Sequence, residues 1–224
     1  MLPTGFHRIY TRPWVQRFAA RHFHRAFYYA AARTLLSSHW LGTTTVKLPL
    51  DLWCYQEILT ELRPGLVIET GTFRGGSARF LASVLDLLDT GRVLSIDIIH
   101  REPLPEHPRI EYLLGSSVTP EVVDQVRSAA DAAQGPVLVI LDSDHARDHV
   151  LAEMHAYADL VTPGSYLIVE DTDVSGHPIL PRFGPGPAEA VEAFLGERDD
   201  FAPDRERERF LMTMNPGGYL KRLE

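Results

Sequence analysis

The sequence predicts an α/β protein: a doubly wound, mostly parallel sheet with a helical extension before it and an antiparallel hairpin at its C-terminus. Short runs rich in Val, Ile and Leu recur along the chain, and most of them end in acidic residues. They alternate with segments of helical length, the pattern of buried parallel strands joined by crossover helices. The 224 residues suit one such domain plus an extension, and 45% hydrophobic residues suffice to fill its core. Residues 1–46 read as a basic amphipathic helical extension and 47–224 as the domain.

From Arg12 to Leu36 the apolar residues follow a helical period. Val15, Ala19, Phe23, Ala26, Phe27 and Ala30 fall on one side, and Arg17, Arg21, His24 and Arg25 on the other. Residues 1–50 hold seven basic residues and no acidic one, so this segment is +7. The remainder holds 15 basic and 30 acidic residues and is −15. An acid-free helix of this kind can resemble a transit peptide or lie on an anionic membrane. We read it as packing on the domain or on a second copy of the chain, so a homo-oligomer is expected and membrane contact is not. A −15 body repels nucleic-acid phosphates. No apolar run is long enough to span a membrane, and no signal-peptide core precedes the domain. The single cysteine, Cys54, excludes an internal disulfide framework and fits a cytoplasmic location. In Leu52-Trp-Cys-Tyr55 it reads as core.

The domain begins with Lys47-Leu-Pro-Leu-Asp-Leu-Trp53, a turn running into a helix near Leu52–Leu62 that stops before Pro64-Gly65. Leu66 to Glu69 is the first strand, and Ala78 to Leu88 the helix after it. Arg92 to Asp97 is the second strand. Ile110 to Leu114 is the third, followed by Gly115-Ser-Ser117 and a helix from Pro120 to Ala133. Val137 to Leu141 and Tyr166 to Val169 are the fourth and fifth strands, with one helix between Ala146 and Leu160. Thr172 to Pro187, rich in Gly and Pro, reads as a lid loop; His177 and Arg182 are its candidate ligand contacts. Ala188–Leu195 is a short helix, and Phe201 to Leu220 a terminal hairpin.

The turn after the first strand, Glu69-Thr-Gly71-Thr72-x-x-Gly-Gly76-Ser77, is a tight strand-to-helix passage in which backbone can approach a ligand. Its order is Gly-x-x-x-Gly-Gly, so it is not the dinucleotide fingerprint. Glu69 in front of it would repel a pyrophosphate and suits a cationic ligand such as S-adenosylmethionine. Asp97, 26 residues beyond Gly71, stands where nucleoside-binding α/β folds hold a ribose diol. Ser117, after the third strand, is a candidate for the adenine side.

Ligands of such sheets bind outside the carboxyl ends of the strands. Asp142, His145, Glu170 and Asp171 therefore share one crevice, with carboxylates and an imidazole suited to metal binding and acid–base work. Asp144 reads as a cap for the helix at Ala146. Trp53, Tyr55 and Tyr112 read as packing.

Lys47-Leu-Pro-Leu-Asp-Leu-Trp-x-Tyr-Gln56, Glu69-Thr-Gly-Thr-x-x-Gly-Gly-Ser77, Leu141-Asp-Ser-Asp-His145 and Ile168-Val-Glu-Asp171 together resemble the cephalosporin-hydroxylase-like family, which includes rhamnosyl O-methyltransferases. Phe183-Gly-Pro-Gly-Pro-x-x-Ala190 and Asn215-Pro-x-Gly-Tyr-Leu220 resemble the same family, so the likeness runs from Lys47 to Leu220. It implies a class I methyltransferase (Rossmann-like) fold, S-adenosylmethionine as methyl donor and a divalent cation, usually Mg2+. Related macrolide-sugar methyltransferases place an aspartate three residues before a catalytic histidine and a Glu-Asp pair at the next strand end, positions held here by Asp142, His145, Glu170 and Asp171. Glu69, Gly71, Thr72, Gly76, Ser77, Asp97, Ser117 and Asp142 are the residues expected to serve the donor. Iron(II) oxygenases use two histidines and one carboxylate. The one His-x-Glu here, His100-x-Glu102, lies off a strand end and reads as chance.

A sugar hydroxyl is a weak acid, so a cation that stabilises developing alkoxide charge assists its methylation. Magnesium favours hard oxygen ligands, and Asp142, Glu170 and Asp171 supply three carboxylates. His145 at the start of the next helix is the general base, since histidine exchanges protons near neutral pH. The expected function is Mg-dependent O-methylation of a sugar or oligosaccharide, in a glycosylated natural product or a methylated polysaccharide of the methylmannose type. A metal-dependent hydrolase and a non-catalytic assembly subunit are the alternatives.

Overall fold

The computed structural model describes residues 8–99, 101 and 103–224; His100 and Glu102 of the His-x-Glu motif lie outside them. The elements are α1 (Pro13–Tyr29), β1 (His39–Trp40), β2 (Thr43–Thr44), α2 (Pro49–Leu62), β3 (Leu66–Thr70), α3 (Gly76–Leu88), β4 (Arg92–Asp97) and β5 (Ile110–Leu114). They continue with α4 (Pro120–Asp131), β6 (Val137–Leu141), α5 (Arg147–Tyr157), β7 (Tyr166–Val169), α6 (Pro187–Glu197), β8 (Phe201–Pro203) and β9 (Tyr219–Arg222). The main sheet has the order β5-β4-β3-β6-β7-β9-β8. β3 to β7 pair in parallel, and β9 runs antiparallel to both β7 and β8. The strand order reverses at β3, whose neighbours are β4 and β6. The crevice beyond the carboxyl ends of β3 and β6 is therefore the place for a ligand.

Alternate residues of a strand face opposite sides of the sheet. Leu66, Ile68, Val137 and Val139 pack with Val126 of α4, Met154 of α5 and Phe194 of α6. Val67, Val93, Leu138 and Ile140 pack with Ile58 and Leu59 of α2 and Leu81 and Leu85 of α3. Cys54 belongs to this second core. Glu69 has the parity of Val67, so the pleat turns a carboxylate into the α2/α3 layer. Proline at the first turn lets α2 begin at Pro49, three residues before the expected start.

The N-terminal segment differs from the sequence reading. The helix ends at Tyr29 and gives way to two 3-10 turns, Ala31–Arg33 and Leu35–Ser37. Its docked face is also different: His24 is buried, while Phe23, expected on the packed side, is exposed. The cause is a buried polar contact, because His24 Nε2 meets the fully buried Asp173 Oδ2 at 2.5 Å, and a buried carboxylate without a partner is costly. Arg25 and Tyr29 add hydrogen bonds to the backbone of Pro178 and Leu180. The helix thus fastens the 172–187 loop, in which Thr172, Asp173, Val174 and Ile179 are buried. His177 pairs with Glu189 at 2.9 Å, and Arg182 is exposed. The β1–β2 hairpin, absent from the sequence reading, lies against α3: Trp40 donates to Ser83 at 3.1 Å and stacks edge-on with Phe80. Among the described residues no helix is long and apolar enough to cross a membrane.

Candidate active site

The site forms where the loops after β3, β4, β6 and β7 converge. Gly71 takes φ +89°, and a Cβ there would stand 1.8 Å from the Asp142 carbonyl oxygen. A Cβ on Gly76 would stand 2.1 Å from the carbonyl oxygen of Thr44. Both glycines are therefore required by close passage of the chain's own backbone, a second reason for them beside ligand approach.

Two adjoining chambers result. The first, about 400 Å3, is lined by Gly71, Phe73, Asp97, Ser116, Ser117, Asp142, Ser143 and His149. The second, about 250 Å3, is lined by Lys47, Gly71, Thr72, Gly76, Ser77, Asp142, His145 and Asp171. Gly71, Phe73, Asp142 and Ser143 border both. In the first, Asp97 accepts from Phe73 N–H at 2.9 Å and Ile99 N–H at 3.0 Å, which fixes its carboxylate at the strand end. Each oxygen keeps a lone pair for a diol.

Glu69 and Glu170 line neither chamber and lie behind them. Glu69 is fully buried; Ser95 donates to its Oε2 at 2.6 Å, and Oε1 has no hydrogen-bond partner among the described residues. Burial pushes its carboxyl above the usual range, against the attraction of Lys47. Thr72 turns its hydroxyl away from the chamber, to Ser95 at 2.8 Å, and so supports Glu69 from below.

Asp142, His145 and Asp171 offer ligand atoms that all lie within 4.8 Å of one another. His145 Nε2 is 3.2 Å from Asp171 Oδ2. Glu170 is the departure from the expected carboxylate set. Tyr55 donates to its Oε1 at 2.8 Å, and Lys47 Nζ holds Oε2 at 2.6 Å while also contacting Asp142 Oδ2. Burial raises Asp142 and Asp171 to about 6 and Glu170 to about 7, offset in part by Lys47 for Asp142 and Glu170 and by His145 for Asp171. Burial pulls the Lys47 ammonium down, but Asp142, Glu170 and Glu69 together hold it well above its ordinary value. Asp144 accepts from Ala146 N–H at 2.7 Å, in the turn before α5.

Sequence reasoning missed several supporting residues. Lys47 is one of only two lysines beside 20 arginines, and it opens the first motif; that scarcity was its signal. Tyr55, read as packing, both packs against Tyr219 and binds Glu170. Asn215 donates to the Tyr55 hydroxyl and accepts from Asp171 N–H, tying the C-terminal motif to the end of β7. Ser143 bonds the buried Glu153 at 2.7 Å and lies 3.2 Å from His149 Nε2.

A family model described as rhamnosyl O-methyltransferase/CmcI matches residues 33–223. The chain belongs to this family. It is 44% identical over 188 residues to the rhamnosyl O-methyltransferase of Mycobacterium leprae (strain TN), covering 82% of each chain. It is 40% identical over 209 residues to that of Mycobacterium tuberculosis (strain ATCC 25618 / H37Rv), covering 91% of this chain and 84% of the relative. Among solved structures, CmcI-N160 in its apo form superposes with a TM-score of 0.67 at 23% identity, over 84% of this chain and 77% of that one. The structure titled cmcI-D160 Mg-SAM gives 0.65 at 22% identity, over 84% and 78%. An O-methyltransferase from Bacillus cereus in complex with SAH gives 0.53 at 16%, over 82% and 81%. The fold is thus the class I methyltransferase fold expected from the sequence. The protein is an S-adenosylmethionine-dependent O-methyltransferase.

Proposed function

We propose that the protein methylates a hydroxyl of a sugar or glycoside with the help of a divalent cation. The observation that carries this reading is the Asp142–His145–Asp171 cluster, set in a chamber that shares a wall with the Asp97 chamber. A base and two carboxylates thus stand beside the donor. The names of the mycobacterial relatives supply the sugar, and the Mg-SAM structure of cmcI the cation.

The residues fit both groups. Glu69, buried behind the chambers and bonded to Ser95, places negative charge next to the site, which suits a cationic donor. Two half-buried carboxylates, Asp142 and Asp171, and the buried Glu170, all above their usual range, favour a hard cation. Asp142 and Asp171 would hold the ion, and Glu170, expected as a third ligand but held by Tyr55 and Lys47 behind the chamber, would add charge to the site. When bound, such an ion acts as a Lewis acid toward an acceptor oxygen. His145 takes the hydroxyl proton at Nδ1, the ring nitrogen that does not face Asp171, while Asp171 beside Nε2 orients the imidazole and stabilises the charge it acquires. Asp97 holds the ribose diol and Ser117 flanks the adenine, so the methyl group is directed toward the second chamber.

Transfer from radiolabelled S-adenosylmethionine to rhamnosides, mannosides and other glycosides, with and without EDTA, tests this reading. Cation-dependent labelling of one glycoside class is expected. Labelling that survives chelation removes the cation, and labelling confined to non-carbohydrate hydroxyls removes the sugar.

A further inference from the structure

Beside the two chambers lies a third pocket, of about 560 Å3, lined by Thr43, Thr44, Arg74, Arg79, Arg101 and Pro105. Thr44 and Arg74 also border the His145 chamber, and Arg101 the Asp97 chamber, so the pocket adjoins both. Residues 51–224 carry a net charge of −15, and most of their arginines pair with carboxylates. Arg74, Arg79 and Arg101 differ: among the described residues no carboxylate pairs with any of them, and none lines the pocket. Uncharged partners hold them instead. The half-buried Arg79 donates to the Thr43 hydroxyl at 3.0 Å. Arg74 and Arg101 lie over the Phe73 ring, their guanidinium carbons 5.5 and 5.3 Å from its centre. Phe73 takes φ +49°, a conformation disfavoured for a residue with a side chain, and Asp97 holds it there by accepting its N–H. A cation–π contact positions a guanidinium without neutralising it.

We propose that this pocket binds an oxyanion carried by the acceptor, a phosphate or carboxylate substituent; the proposal rests on the sugar reading above. Guanidinium groups present planar forks that match phosphate and carboxylate oxygens in bidentate geometry, and three of them converge here without a counter-ion. The −15 body repels an acidic molecule everywhere else, so a local positive pocket decides where such an acceptor enters and which end of it leads. Through Thr44 and Arg74 the pocket continues into the His145 chamber, so a molecule anchored by its anion presents a hydroxyl to His145. The donor brings an α-carboxylate too. That group has a seat of its own, where Gly76 and Ser77 at the N-terminus of α3 line the His145 chamber.

Titration calorimetry of the full chain with inorganic phosphate, in EDTA and with S-adenosylhomocysteine bound, tests the pocket directly. The wild type should bind phosphate, and Arg74→Gln, Arg79→Gln and Arg101→Gln should each weaken binding by at least about 10-fold, the loss of one charge-assisted contact. Arg74 and Arg101 are exposed, so their variants should melt with the wild type; they decide the matter if Arg79→Gln melts lower. In the labelling assay, uronides and sugar phosphates should show a higher kcat/KM than neutral glycosides. Arg74→Gln should raise KM for the acidic acceptors about 10-fold and spare kcat, as for binding energy shared by ground and transition states. Phosphate binding that no arginine variant weakens overturns the proposal, as does a preference for neutral glycosides over acidic ones. A parallel fall in S-adenosylhomocysteine affinity in Arg74→Gln would give the pocket to the donor carboxylate and overturn it too. Labelling of no glycoside at all would remove the sugar reading alone, while phosphate binding lost in the variants would still support an anion site for an acceptor of another class.

Discussion

Lys47 Nζ lies 2.6 Å from Glu170 Oε2 and contacts Asp142 Oδ2 at the same time, so one buried ammonium joins the ends of β6 and β7. Its removal strands the buried Glu170 carboxylate and the half-buried Asp142. Lys47→Met should lower the stability of the cation-free protein by about 3–5 kcal/mol, the usual cost of breaking a buried ion pair from one side. Added magnesium should restore part of the loss, because a cation among the carboxylates compensates them. Thermal melts with EDTA and with magnesium measure both effects; an unchanged melting temperature would show that the ammonium is dispensable.

His145→Ala should keep affinity for S-adenosylhomocysteine and lose roughly 10²- to 10⁴-fold in turnover, the range for a positioned general base. Calorimetry and single-turnover labelling separate the two. Full turnover in this variant would take the proton from His145 and assign it elsewhere.

Glu69→Gln removes a charge buried behind the donor chamber. Affinity for the donor should fall by about 10-fold through the lost attraction, about 1.4 kcal/mol. Titration calorimetry decides it, and unchanged affinity would leave Glu69 a purely structural role.

The same calorimeter distinguishes the carboxylates. Asp142→Asn and Asp171→Asn should each weaken magnesium binding more than Glu170→Gln, whose oxygens Tyr55 and Lys47 already hold. Equal losses in all three would make Glu170 a ligand.

Metal affinity should depend on pH with a definite sign. The folded pKa values of Asp142 and Asp171, about 6, and of Glu170, about 7, lie above those of free carboxyls near about 4. The folded state therefore binds these protons more tightly than the unfolded one. On their account the cation-free protein loses stability as pH rises from about 4 to about 7. A cation needs the ionised forms, so its binding strengthens over the upper part of that window. The gap between melting temperatures with magnesium and with EDTA should widen from pH 5.5 to 7.5, and a gap independent of pH would disprove the linkage.

Much of this protein is determined locally and so is legible in its sequence. Strand periodicity, the Gly71 and Gly75-Gly76 turn and the acids at 97, 142, 170 and 171 specify the sheet and the edge where its ligands meet. What the tertiary structure decided lies in pairs distant along the chain. Lys47 reaches Asp142 across 95 positions and turns Glu170 toward Tyr55, while His24 finds Asp173 across 149 and rotates α1 away from its apolar face. Periodicity reports which side of an element is buried only when burial is hydrophobic. A buried ion pair is set by through-space charge compensation, and no local pattern encodes its partner.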